Sequence, residues 1–361
     1  RRRPGLHTPL ACVGRRLARR WFLFLASRLK THAGRGRSPK PSAWPSGNTI
    51  SNESRLKLKC ENLKLPPQMT IITDERCTTY HSPGHPERPF RVAGTVKQLK
   101  AQMKIKVDWA KPEAAPLEKV LRAHTKNHYQ RLGEPHDFDG DTAYHEGIRE
   151  HALRGAGGAL KALELAKAGK PHFSLLRPPG HHAEINSAMG FCLLNSVAIS
   201  AINSLDLEQI DRVAILDFDV HHGNGTVDIC KDRPEILVCS SFQHPWYPNR
   251  LYDLNRPNIV NTPLRSGTQG DEFRKEIERT WFPAIEKHRP NLVFISAGFD
   301  AHQHDPLSEI SLTEDDFYWI TSEIARLSEQ YSDGRVVSVL EGGYDLKSLG
   351  NSCIAHLKAL L

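Results

Sequence analysis

Short apolar runs recur along this chain, and three of them end abruptly in clusters of acids and imidazoles. Val213 to Leu216 leads into Asp217-Phe218-Asp219-Val220-His221-His222-Gly223-Asn224-Gly225. Phe173 to Leu176 leads into Arg177-Pro178-Pro179-Gly180-His181-His182, and the run from Val293 to Ala297 reaches Asp300 through Gly298 and Phe299. Thr70 to Thr73, Ile236 to Ser240 and Val336 to Leu340 read as further strands. Between the runs, His151 to Ala168, Asn195 to Asn203, Asp271 to Glu286 and Glu314 to Glu329 carry helical periodicity. This alternation predicts an α/β fold: one domain with a mostly parallel central sheet and helices on both faces. Parallel strands share one carboxyl edge, which is where open α/β sheets place their chemistry.

Carboxylates and imidazoles together suit a borderline divalent ion such as zinc. A single cluster has a plainer reading. Acids and glycine after a strand often form a turn and a helix cap, and paired histidines can satisfy buried polar groups. Asp300 alone reads as a helix N-cap, and Tyr344 after Gly342-Gly343 reads equally as a core tyrosine. Three such strands meeting at one sheet edge favour the metal site.

The chain has 361 residues, enough for a large core, and a net charge of +8. Residues 1–68 carry 16 Lys and Arg against Glu53 and Glu61, a net +14, so residues 69–361 carry −6. Nucleic-acid binding is therefore not expected of the folded part. The first Met is Met69, immediately before the first strand-like run. Residues 1–68 are expected to be a basic, disordered extension, either upstream of the natural product or a targeting segment. Residues 69–361 are expected to form the catalytic domain.

Seven cysteines without a C-x-x-C pair argue against a disulfide framework, and a reducing, cytoplasmic location is expected. The Trp21 to Ala26 run is too short to cross a membrane. Gln243 to Pro263, rich in Pro and Asn, is expected to be a long loop at the site's rim.

The series HSPGHPERPFR (81–91), RPPGHHAEINSAMGFCLLN (177–195), DFDVHHGNG (217–225), SAGFDAHQHDPL (296–307) and EGGYDL (341–346) resembles the histone deacetylase superfamily. It is closest to class II and the bacterial deacetylase-like amidohydrolases. The resemblance implies zinc-dependent removal of acetyl groups from acetyl-lysine. It makes Asp219, His221 and Asp300 the zinc ligands, a three-residue set that leaves room for water and the substrate carbonyl. It makes His181 and His182 the acid–base pair, oriented by Asp217 and Asn224, and Tyr344 the oxyanion donor. Other branches carry Asp where this chain has Asn224, so the two histidines are expected to be unequal, with His182 the better general base. His222 is left without a catalytic role.

The same resemblance implies a bound potassium ion, held by the Asp217 carboxylate, main-chain carbonyls of Asp217, Asp219 and His221, and the Ser240 hydroxyl. It implies a substrate tunnel walled by Phe191 and Tyr247 beside the Gly190 backbone. Asp141 is the rim acid, with Asp137 and Asp139 competing for that role. Arg91 falls near the acetate exit path, with a surface salt bridge as its other reading. Asn249-Arg250-Leu251-Tyr252-Asp253 replaces the family's usual glycine-rich run. Leu307 stands where a polyamine-selective member can carry an acid, which favours acyl-lysine in a peptide. The expected partner is an acetylated lysine peptide or protein, or else an acetylated small amine; a non-catalytic acyl-lysine binder would show a broken ligand set or no Tyr344. A binuclear manganese ureohydrolase would need more carboxylates around its histidines.

Overall fold

The computed structural model describes residues 69–102 and 105–361. The expectations for residues 1–68 lie outside the described residues. Among the described residues, eight strands form one sheet: β1 Thr70–Ile72, β2 Asp108–Ala110, β3 Pro171–Ser174, β4 Val213–Asp217, β5 Ile236–Gln243, β6 Ile259–Leu264, β7 Leu292–Ala297 and β8 Val336–Leu340. Their spatial order is β2-β1-β3-β8-β7-β4-β5-β6, and every adjacent pair is parallel.

The central strands are rich in Val, Ile and Leu, whose side chains pack well on a pleated surface. Every residue of β4, β5, β7 and β8 is buried. Successive strand side chains point to opposite faces, so complete burial requires cover on both. Among the helices, Ile148–Ala166 packs on Ser196–Ser204 and on β3, while Leu346–Leu360 packs on Glu314–Tyr331 and Phe90–Ala101. Phe173, Phe218, Phe273, Phe294, Phe299 and Trp281 are almost wholly buried. Each such side chain contributes roughly 1.5–3 kcal/mol, and this core gives the carboxyl edge of the sheet a stiff base.

Helix starts carry local signals. Asn195 caps its helix by accepting from the Ala198 N–H at 2.9 Å, and Thr313 with Asp316 forms a reciprocal capping box. The helix expected from His151 begins a turn earlier, at Ile148. Periodicity in the sequence did not single out the helices Phe90–Ala101 and Leu346–Leu360 or the three-residue β2. The expected loop Gln243 to Pro263 is corrected at both ends, because β5 runs through Gln243 and β6 starts at Ile259. Pro263 is tolerated inside β6 because that strand lies at the sheet edge. The five described cysteines are all free and buried. No helix among the described residues is long and apolar enough to cross a membrane.

Candidate active site

Strands β3, β8, β7 and β4 are consecutive in space although scattered in sequence. Asp217 lies in register with Ser296 of β7 and Ser240 of β5, and Ala297 with Leu340 of β8. The segments leaving these strands therefore converge. Ligand atoms of Asp219, His221 and Asp300 lie within 4.8 Å of one another, all buried. His221 Nδ1 is 3.1 Å from Asp219 Oδ1 and 3.1 Å from Asp300 Oδ2. Asp300 caps no helix; its Oδ1 accepts from the Val220 N–H at 2.9 Å.

This donor set fits a divalent cation. Burial by itself would lower the His221 pKa, but its hydrogen bonds to the Asp219 and Asp300 carboxylates and their charge outweigh it and lift it to about 10. The pocket thus strongly favours positive charge. One nitrogen and two carboxylates match zinc chemistry, with room for further ligands on the cleft side. The close approach depends on glycine. A Cβ at Gly298 would fall 2.1 Å from Asp219 Oδ2, and one at Gly342 would fall 2.0 Å from Asp300 Oδ2.

The tandem imidazoles stand beside this cluster with ring centroids 4.0 Å apart. His181 Nδ1 meets Asp217 Oδ2 at 3.0 Å, and His182 Nδ1 meets Asn224 Oδ1 at 2.7 Å. Asn224 donates its amide to Glu184 Oε1 at 2.8 Å, which fixes its oxygen toward His182. Both rings thus carry hydrogen at Nδ1 and keep Nε2 for chemistry. Their titration diverges. At His181 burial opposes the proton, but Asp219 and Asp217 overcome it and raise the pKa. At His182 burial comes first, reinforced by His181 and His221, and the pKa falls well below its ordinary value. Burial also lifts Asp217 to about 6, against the pull of His181.

Residues 341–344 form the hub of the site. Glu341 Oε2 accepts from the Gly180 and His181 N–H groups at 2.6 and 3.1 Å. The Gly342 N–H donates to Asp219 Oδ2 at 2.8 Å, and the Tyr344 N–H donates to Asp305 Oδ2 at 2.6 Å. Arg91 Nε donates to the Gly343 carbonyl at 2.6 Å, its Nη2 donates to the Glu341 carbonyl, and its guanidinium lies 4.7 Å from the Tyr344 ring centroid. The surface salt-bridge reading of Arg91 is corrected, because the side chain is wholly buried. Its third contact is Glu87, at 3.3 Å. With its nitrogens engaged by these groups, Arg91 acts as a clamp on the tyrosine-bearing turn. Burial pushes the Tyr344 phenol well above its usual pKa, so it remains a hydrogen-bond donor.

Above the cluster opens a cleft of about 380 Å³ lined by His182, Phe191, His221, Tyr247, Leu307 and Tyr344. Gly190 also lines it, and a Cβ there would fall 2.6 Å from His182 Cδ2 and 2.9 Å from the Tyr247 hydroxyl. Phe191 adopts a φ of 68°, and its N–H is held by Thr142 Oγ1 at 2.9 Å. Of the three competing rim acids, Asp137 accepts from the Tyr144 N–H, and Asp139 from the Gly190 and Asp141 N–H groups. Asp141 is exposed and lines the cleft. Leu307 lines it too, and its carbonyl accepts from Trp246 Nε1 at 3.0 Å.

Ser240 lies directly across from Asp217 and accepts from the Gly223 N–H at 3.3 Å. His222 turns away from the cluster, its Nε2 3.0 Å from Asn261 Oδ1. Sequence reasoning assigned no role to Glu341, Asp305, Thr142 or His85, although Glu341, Asp305 and His85 fall inside the quoted motifs. His85 Nδ1 accepts from the Glu87 N–H and Nε2 donates to the Asp141 carbonyl, both at 3.0 Å, while its ring packs edge-on against Phe191.

Fold and cluster together define an α/β protein with a candidate metal-binding cluster at the carboxyl edge of its parallel sheet. A histone deacetylase domain model matches residues 85–360, and the chain belongs to the histone deacetylase family. It is 35% identical over 293 residues to a probable deacetylase of Archaeoglobus fulgidus, covering 77% of this chain and 81% of that one. It is 33% identical over 280 residues to a histone deacetylase-like amidohydrolase of Pseudomonas aeruginosa, covering 72% and 73%. Among solved structures, the HDA15 HD domain superposes with a TM-score of 0.75 at 28% identity, covering 81% of this chain and 89% of that one.

Proposed function

We propose that this protein is a zinc-dependent deacetylase that hydrolyses the acetyl-lysine amide in peptides or proteins. The observation that carries the reading is the meeting of Asp219, His221 and Asp300 with His182 and Tyr344 at the floor of an aromatic-walled cleft. A zinc ion held by Asp219, His221 and Asp300 would polarise the substrate carbonyl and the attacking water. His182, kept neutral by burial beside His181 and His221 and tautomerically fixed by Asn224, accepts the water proton at Nε2. His181, raised by Asp217 and Asp219, holds positive charge beside the reacting centre. An imidazolium of the pair protonates the departing lysine amine. The Tyr344 phenol donates to the carbonyl oxygen as negative charge develops there, an interaction strongest in the transition state.

Phe191 and Tyr247 flank the aliphatic lysine stem, and Asp141 accepts from the substrate backbone at the rim. A potassium ion beside Asp217 and Ser240 belongs to the same reading. Leu307 offers no charge to a second amine, which favours an acyl-lysine peptide over an acetylated polyamine.

The test is acetate release by the zinc-loaded protein from an acetyl-lysine peptide, an acetylpolyamine and a longer-chain acyl-lysine peptide, side by side. Preference for the acetyl peptide is expected. A folded, zinc-loaded protein that hydrolyses none of the three would sink the enzyme reading.

A further inference from the structure

Glu341 is wholly buried, and only half of its carboxylate is used. Oε2 takes the Gly180 and His181 N–H groups, whereas Oε1 is buried without a hydrogen-bond partner. Leaving a buried acceptor unsatisfied is costly, so this oxygen calls for an occupant.

Two further donors reach the same spot. Ligand atoms of His181, Cys192 and Glu341 lie within 4.8 Å of one another, all three residues buried. They arrive from separate segments: the loop after β3, the turn at Gly190–Cys192 and the end of β8. His181 Nδ1 is engaged by Asp217, so Nε2, 3.7 Å from Asp219 Oδ1, is the nitrogen a cation would take, its proton leaving to solvent as the ion binds. Small side-chain movements would close these atoms around an ion with bonds of about 2.0–2.3 Å.

We infer that His181, Cys192 and Glu341 form a second, inhibitory site for a thiophilic divalent cation such as Zn²⁺. The thiolate sets its selectivity, since sulfur favours zinc, cobalt or cadmium over magnesium and calcium. The Asp219–His221–Asp300 cluster contains no sulfur, so the two sites are chemically distinct. Burial pushes the Cys192 thiol well above its ordinary pKa. It therefore holds its proton until a cation displaces it to solvent, and binding strengthens as pH rises. Occupancy takes up His181 Nε2 and removes that imidazole from proton transfer. With three protein ligands and a second cation next door, the site fills after the catalytic one. The site stands independently of the deacetylase reading; only its effect on turnover rests on it.

The test adds Co²⁺ to the full-length chain already carrying one equivalent of Zn²⁺, following both the near-ultraviolet cobalt–thiolate charge-transfer band and acetate release. The band should appear with the added cobalt while turnover falls in step. Cys192→Ser should lose it, and Glu341→Gln should need about tenfold more cobalt or greater, the usual scale for a lost metal-site contact. Cys12 and Cys60 lie outside the described residues, so a band that survives Cys192→Ser arises elsewhere and overturns the proposal, as does the absence of any band. Should Cys192→Ser fail to fold, an unchanged midpoint in Glu341→Gln overturns it equally. A band without loss of turnover refutes inhibition. A band in a protein inactive on every substrate supports the site and counts against the deacetylase reading.

Discussion

His182 Nδ1 lies 2.7 Å from Asn224 Oδ1, while the adjacent His181 directs its Nδ1 to the Asp217 carboxylate at 3.0 Å. A neutral partner orients an imidazole while favouring its charged form less than a carboxylate does. With burial, His181 and His221 holding His182 low and Asp219 and Asp217 holding His181 high, the pair is split into a neutral imidazole and a charge-holding neighbour.

Replacing Asn224 by Asp should raise the His182 pKa, because a carboxylate favours the imidazolium. The base must be neutral to act, so the acidic limb of the kcat/KM profile should move to higher pH by about one unit. An unmoved limb in a folded, zinc-loaded variant would remove His182 from the general-base role.

Tyr344→Phe keeps the ring over the Arg91 guanidinium but deletes the phenol. Since the oxygen it serves becomes anionic only in the transition state, kcat should fall about 10²–10³-fold with little change in KM. His182→Ala should lower kcat by about 10²–10⁴-fold with zinc content preserved, measured on the same samples.

Gly342→Ala tests the metal cluster without replacing a ligand. The new Cβ would stand 2.0 Å from Asp300 Oδ2 and 2.5 Å from Asp219 Oδ2, so the carboxylates must separate. Zinc affinity, read by competition with a chelator, should fall about tenfold or more. Removal of zinc by the chelator should abolish acetate release in the parent chain, and added zinc should restore it.

Glu87 answers two buried guanidinium groups. Its carboxylate lies 2.5 Å from Arg177 Nε and 3.3 Å from Arg91 Nη1, and all three side chains are at least nine-tenths buried. Glu87→Gln leaves two buried cations short of a counter-ion and should cost about 3–5 kcal/mol in denaturant unfolding. Burial would raise the Glu87 pKa, but the arginines, Arg177 first, hold it below its ordinary value. This contribution is accordingly complete above the unfolded carboxyl pKa of about 4.3 and is lost as pH falls through the lower folded one.

Much of the site was legible because its residues follow buried strands directly. Asp217, Asp219 and His221 leave β4 within four residues of its end, and His181 and His182 leave β3 in a Pro-Gly turn. Arg91 shows the limit. As the second arginine of a proline-rich stretch with one acid, Glu87, it reads equally as a surface salt-bridge partner, and only folding shows it buried against Tyr344. Glu341 was quoted within EGGYDL yet given no task, since its partners are the main-chain N–H groups of Gly180 and His181, some 160 residues away.

The amino-acid sequence by itself determined which side chains could hold a metal and that they would share one edge of a parallel sheet. Those properties follow from strand periodicity and donor chemistry, which are local. Tertiary structure alone decided that β3, β8, β7 and β4 stand side by side, that glycines at 298 and 342 let three carboxyl-edge segments close together, and that Glu341 and Arg91 fix the turn bearing Tyr344. These are contacts between segments distant in the chain, and they exist only once the strand order has set which ends meet.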